Sequence, residues 1–148
     1  MGFEVTSSKL GYIKLSDATE IAMRVSIVDI EEGELKPVGP DLRVGLQVSF
    51  VVKKVPEELK RLVRDKPLPP SDGSHLRDLD KWEIVKILEK DNAVEECLYR
   101  ARDGKAYKVS VEVEVTVVAR TLEYRDRYGN PVYHLRWSPW VKMSLSDA

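Results

Sequence analysis

A chain of 148 residues that is 43% hydrophobic and 33% charged can close a core of its own, and its single cysteine excludes an internal disulfide. The formal net charge of -1 argues against a wholesale nucleic-acid coat, though it leaves room for a local basic patch. No apolar run approaches the roughly 18 residues of a membrane span, and the start MGFEVTSSKLGYIKL carries neither a charged leader nor a signal-type apolar core. These features point to one cytoplasmic domain over residues 1–148 with no membrane partner. Asn92, Asn130 and Gln47 are the only side-chain amides among many Lys, Arg and Glu, a bias typical of proteins from hot habitats.

In chain order, MGFEVTSSKLG reads as a loose or edge-docked start, and GYIKL as a short strand that turns at Ser16-Asp17-Ala18-Thr19 into a hairpin. From Glu20 the residues Ile21, Met23, Val25 and Ile27 share one face until Val28 and Ile30 switch it, which is the mark of a bulge. Glu31-Glu32-Gly33-Glu34 reads as an exposed acidic turn, with Pro37, Gly39 and Pro40 in the next connection. Leu42, Val44, Leu46, Val48, Phe50 and Val52 then alternate with polar residues as a second long strand.

Pro56 opens PEELKRLVRD, where acidic residues come first and basic ones last, so a short helix is expected near 56–65. The prolines and Gly73 of KPLPPSDGS permit no regular structure. Trp82 to Leu88 is expected to be one kinked strand, and Glu95 to Arg102 another. Ala106 to Arg120, AYKVSVEVEVTVVAR, is the clearest element: Tyr107 to Ala119 place every odd residue on one apolar face, with Lys108 to Arg120 on a polar one. A three-residue loop with Gly104 left-handed sets Tyr99 opposite Tyr107 and Cys97 opposite Val109. After a turn at Tyr128-Gly129-Asn130-Pro131, VYHLRW returns with Tyr133, Leu135 and Trp137 on one face. Pro139 should interrupt it before a last edge strand carrying Val141, Met143 and Leu145.

The fold class that follows is mainly β, α+β at most: an antiparallel β-sandwich or partly open β-barrel of about seven to nine strands with one short helix. Its chemistry is sparse. Asp72, His75, Asp78 and Asp80 form the densest set of metal-ligand types and would serve a metal-dependent enzyme, but polar residues beside a loop are ordinarily solvated, so no catalytic residue, metal or cofactor is assigned. Cys97 has no neighbouring base in sequence and reads as a small buried thiol.

The carboxyl-terminal hairpin interleaves basic and aromatic residues, and Arg125, Arg127, Tyr128, His134, Arg136 and Trp140 would suit a single-stranded nucleic acid. A second basic cluster, Lys53, Lys54, Lys60, Arg61, Arg64 and Lys66, surrounds the expected helix. Long strands with weakly protected edges favour a different role, a non-catalytic interaction and assembly module that forms a homo-oligomer through sheet edges or an aromatic patch. Nucleic-acid binding is the alternative, and the metal enzyme trails both.

Overall fold

The computed structural model describes residues 2–146. In these the order is β1 (Phe3–Lys9), β2 (Gly11–Leu15), β3 (Glu20–Lys36), β4 (Gly39–Lys54), α1 (Glu57–Val63), β5 (Trp82–Val85), β6 (Ile87–Asp91), β7 (Ala93–Arg100), β8 (Ala106–Arg125) and β9 (Pro131–Leu145). Two antiparallel sheets form an open, sandwich-like fold with no closed barrel, as the alternating sequence implies.

β8 is the spine of the first sheet. β7 pairs with its first half and β5 with its second along one edge, while β9 runs the length of the other; β1 lies outside β7. The second sheet has the order β4-β3-β2-β6. Val109, Val111, Val113 and Val115 are fully buried, and they meet Ile21, Met23 and Val25 of β3 with Ile13 and Leu15 of β2 in one core. The expected hairpin register holds: Tyr99 pairs with Tyr107 and Cys97 with Val109, around a turn with Gly104 at φ 84°.

The apolar face of β8 does not stay on odd residues. Thr116 is an extra residue between the Val115–Trp137 and Val117–Arg136 pairs, so beyond it Val118 is buried and Arg120 turns inward, against the expectation for Ala119 and Arg120. β3 carries the expected bulge at Val28 between the Ile27–Leu46 and Asp29–Gly45 pairs, after which Ile30 and Glu32 face the core side. Glu95 stands opposite, 4% exposed, and its carboxylate accepts the Ile27 amide at 2.5 Å, pinning one sheet to the other at the bulge.

Three expectations need correction. Glu31 to Glu34 is not a turn, because β3 continues through Lys36 against β4 and turns only at Pro37-Val38. Trp82 to Leu88 is not one strand: the chain changes sheets at Lys86, with β5 pairing β8 and β6 pairing β2. Pro139 does not interrupt β9, for β9 is an edge strand, where a missing N–H can face outward without breaking a ladder bond. The helix begins one residue after Pro56, whose carbonyl accepts the Leu59 and Lys60 amides, and its Val63 is fully buried where α1 lies against β8 and β9.

The two long sides of the sandwich differ. On one, the chain passes between sheets at Leu10, Lys86 and Asn92, and these corners close it. Gly11 is part of that closure: a Cβ there would come within 2.5 Å of the Ala93 nitrogen, so no other residue fits without moving backbone. On the other side β4 and β9 end the two sheets, and the link from β4 to β5, with α1 lying against β8 and β9, carries the chain from the second sheet to the first.

Candidate functional site

The basic-aromatic set is divided between faces and distances. β9 alternates without a break, so Tyr133, Leu135 and Trp137 pack toward the core while His134, Arg136 and Trp140 point outward. Arg127 and Tyr128 lie in the turn after β8, with the guanidinium 5.9 Å from the ring centroid, and Tyr128 is 78% exposed. Arg125 ends β8 and donates its amide to the Pro67 carbonyl at 3.0 Å. From Pro131 to Trp140 the strand covers about 30 Å, so His134 and Arg136 are neighbours of one another but not of Trp140. Trp140 pairs with Glu112, and Glu114 lies two residues along the same face, so carboxylates share its surroundings.

The 72–80 segment forms structure of its own. Asp72 accepts the Ser74 amide at 2.9 Å, Asp78 pairs with Lys81 at 3.2 Å, and Asp80 is exposed. His75 lies 5.6 Å from the Tyr124 ring and 6.2 Å from Trp82, whose indole N–H donates to the His75 carbonyl. His134 stands 6.2 Å from the other side of that chain of rings, so the two histidines are joined through Trp82. Among the described residues no three His, Cys, Asp or Glu side chains converge on a metal position.

Two polar groupings escaped the sequence. In the first, Arg120 donates to Asp17 at 2.8 Å and also pairs with Glu83, while the Tyr133 hydroxyl donates to Asp17 at 2.8 Å and meets the Thr19 hydroxyl at 2.8 Å. Burial pushes the Asp17 carboxyl up, but the Thr19 amide, Tyr133, the Thr19 hydroxyl and Arg120 together hold it below its ordinary range. Burial also raises the Tyr133 hydroxyl. Only the bulge at Thr116, invisible in an alternating text, turns Arg120 into this network.

The second lies in a cleft of about 950 Å³ between the β3–β4 hairpin and the end of β7. The Glu32 side chain is 7% exposed; it accepts the Tyr99 hydroxyl at 2.7 Å and the Arg102 Nε at 3.1 Å. The Tyr99 bond lowers the Glu32 carboxyl, and Arg102 adds to it. Burial and the Glu32 charge push Tyr99 up to about 12. Both carboxylate oxygens are engaged, so this grouping braces the cleft floor. Cys97 is fully buried and its thiol is pushed up to about 11, first by burial and then by Glu95, which leaves it protonated and a poor nucleophile.

The remaining feature is the open side. β4 turns Leu42, Val44, Leu46, Val48, Phe50 and Val52 inward, yet each is only half-buried, because β4 ends its sheet. The inward row of β9 is half-buried at Tyr133, Leu135, Trp137 and Met143, and Val141 at 48% and Leu145 at 60% are exposed. Gaps between the two rows mark both ends. A cavity of about 400 Å³ lies among Ile21, Phe50, Val52, Leu135 and Trp137, and another of about 330 Å³ lies between the Pro37-Val38 turn and Met143. β4 and β9 therefore run antiparallel to each other across the opening without pairing. Compared with family models, curated proteins and solved structures, the chain matches none.

Proposed function

We propose that this chain is a non-catalytic assembly module that oligomerises through the open side of its sandwich. The observation that carries the reading is the pair of unpaired edges, β4 and β9, whose inward apolar rows are half-covered. An unpaired strand offers a row of free N–H and C=O groups, and apolar side chains beside it gain by leaving water at about 25 cal/mol per Å². Both contributions favour another strand at this place, and neither needs a reacting group. The three carboxylates nearest the core are engaged: Glu32 with Tyr99, Asp17 with Arg120, Glu95 with the Ile27 amide. Light scattering across about a hundredfold range of concentration tests this. A dimer or higher oligomer that persists in high salt is expected, and a monomer throughout would end the proposal.

Single-stranded nucleic acid is the second reading, favoured by the exposure of Tyr128 at 78%, with Arg127 over its ring, and of Trp140 at 55%. Glu112 and Glu114 on the same face oppose a phosphate chain. Binding to an oligonucleotide that falls steeply with salt, and weakens on replacing Arg125, Arg127 and Arg136 with Ala, would favour it over assembly.

A further inference from the structure

The open side has two edges, and they are not equally suited to receive a strand. β9 carries Pro139 in its middle, which lacks one donor. β4 has no proline after Pro40, and from Val44 to Val52 it reads VGLQVSFVV, nine residues without a charge. Over those nine residues the edge has neither a charge nor a proline nor an extra residue of its own, and the bulge and lysines that guard it lie beyond them at Lys53-Lys54.

We propose that β4 pairs antiparallel with β4 of a second copy of this chain about a two-fold axis at Gln47, joining two four-stranded sheets into one of eight. The inference rests on the assembly reading above and adds which edge, which partner and which register. Pairing within a sheet must keep each row on its own face, so the axis passes through a residue and the choice lies among Leu46, Gln47 and Val48. An axis at Val48 brings Arg43 up to the basic Lys53-Lys54 end of the second copy, and like charges brought close disfavour it. An axis at Leu46 sets Val52 opposite Pro40 and leaves Lys53 facing Gly39.

The Gln47 axis satisfies both rows. On the inward face Leu42 meets Val52, Val44 meets Phe50 and Leu46 meets Val48, each across the two copies. On the outward face Ser49 meets Gly45 and Val51 meets Arg43, and beyond them Asp41 approaches the basic Lys53-Lys54 end, where Lys53 is the extra residue of a bulge between the Ile21–Val52 and Glu20–Lys54 pairs. Gln47 meets itself, and two amides can exchange hydrogen bonds. The half-buried rows of β4 then cover one another, and the opening that β4 and β9 leave in one copy is roofed by the second.

Cysteine cross-linking reads this register. In a Gln47→Cys variant the introduced side chain would stand with its Cβ about 4.5–5.5 Å from its own counterpart, within disulfide reach after small adjustment. In a Ser49→Cys variant the thiol, on the same outward face, would meet Gly45 of the second copy and lie about 13 Å along the strand from its counterpart. The native Cys97 is fully buried and does not compete. Under mild oxidation of the full-length chain, Gln47→Cys should give a covalent dimer about tenfold faster than Ser49→Cys, or more. A dimer by light scattering in which the Ser49→Cys variant links as fast as Gln47→Cys, or in which neither links, overturns the register and leaves assembly standing. A chain that stays monomeric overturns both.

Discussion

Ala18 is the one non-glycine residue with a left-handed backbone among those described, φ 72°, in the turn where the Leu15 amide meets the Thr19 carbonyl and the Ala18 amide meets the Leu15 carbonyl. An L-residue in that region costs about 1–2 kcal/mol, and glycine gives back about 0.5–1 kcal/mol of this through the greater freedom of its unfolded chain. Ala18→Gly should therefore stabilise by about 0.5–1 kcal/mol, read as a higher urea midpoint at unchanged slope. Its neighbour Asp17 supplies a pH dependence. The folded carboxyl titrates below its unfolded value, so its contribution is complete above the unfolded value near 3.8 and is lost as pH falls through the lower folded one. Asp17→Asn should lose that component, giving urea midpoints that decline less than those of the parent as pH is lowered from about 4 to about 2. A parallel decline in both proteins would assign the acid sensitivity to the other depressed carboxyls, Glu32, Asp72, Asp103 and Glu114.

Strands share a pattern but not a burden. Val113 and Val141 both point inward in the same sheet, yet Val113 is fully buried and Val141 is 48% exposed. Truncating Val113 to Ala removes buried methyl groups and leaves a cavity, a loss of about 2–3 kcal/mol, whereas Val141→Ala should cost under about 1 kcal/mol. Denaturation of the two variants at low protein concentration compares them directly. The alternation that makes Val113 a core residue is legible in the sequence, as are the β7–β8 register and the bulge in β3. The bulge at Thr116 is not, because an inserted residue leaves the valine run looking continuous while it rotates everything after it. The acidic end of β3 escapes for a different reason: pairing with β4 across the hairpin at Pro37-Val38 overrides the composition of Glu31 to Glu34, which by itself favours a turn. Local composition likewise hides the corner at Lys86, where a single residue passes the chain from one sheet to the other.

For the molecule as a whole, the site depends on which strands end the sheets, and that is a property of topology. β4 and the central β8 look alike as text, both alternating and rich in valine, but β8 has neighbours on both edges and β4 on one. The candidate surface can thus be named from sequence in kind, as sheet edges, without being located. Its consequence for stability is a matter of mass action. If two copies share β4 edges, the folded dimer unfolds to two chains, and dilution favours the unfolded side. The thermal midpoint should then rise steadily with protein concentration, while Val51→Lys on the exposed outward face of β4 should lower that dependence. Val51 is 60% exposed in a single copy, so the substitution removes little packing within the chain, but in the Gln47 register it sets a lysine against Arg43 of the second copy. Scanning calorimetry of both proteins over a range of concentrations measures the effect, and a midpoint independent of concentration in the parent would show that unfolding does not separate chains.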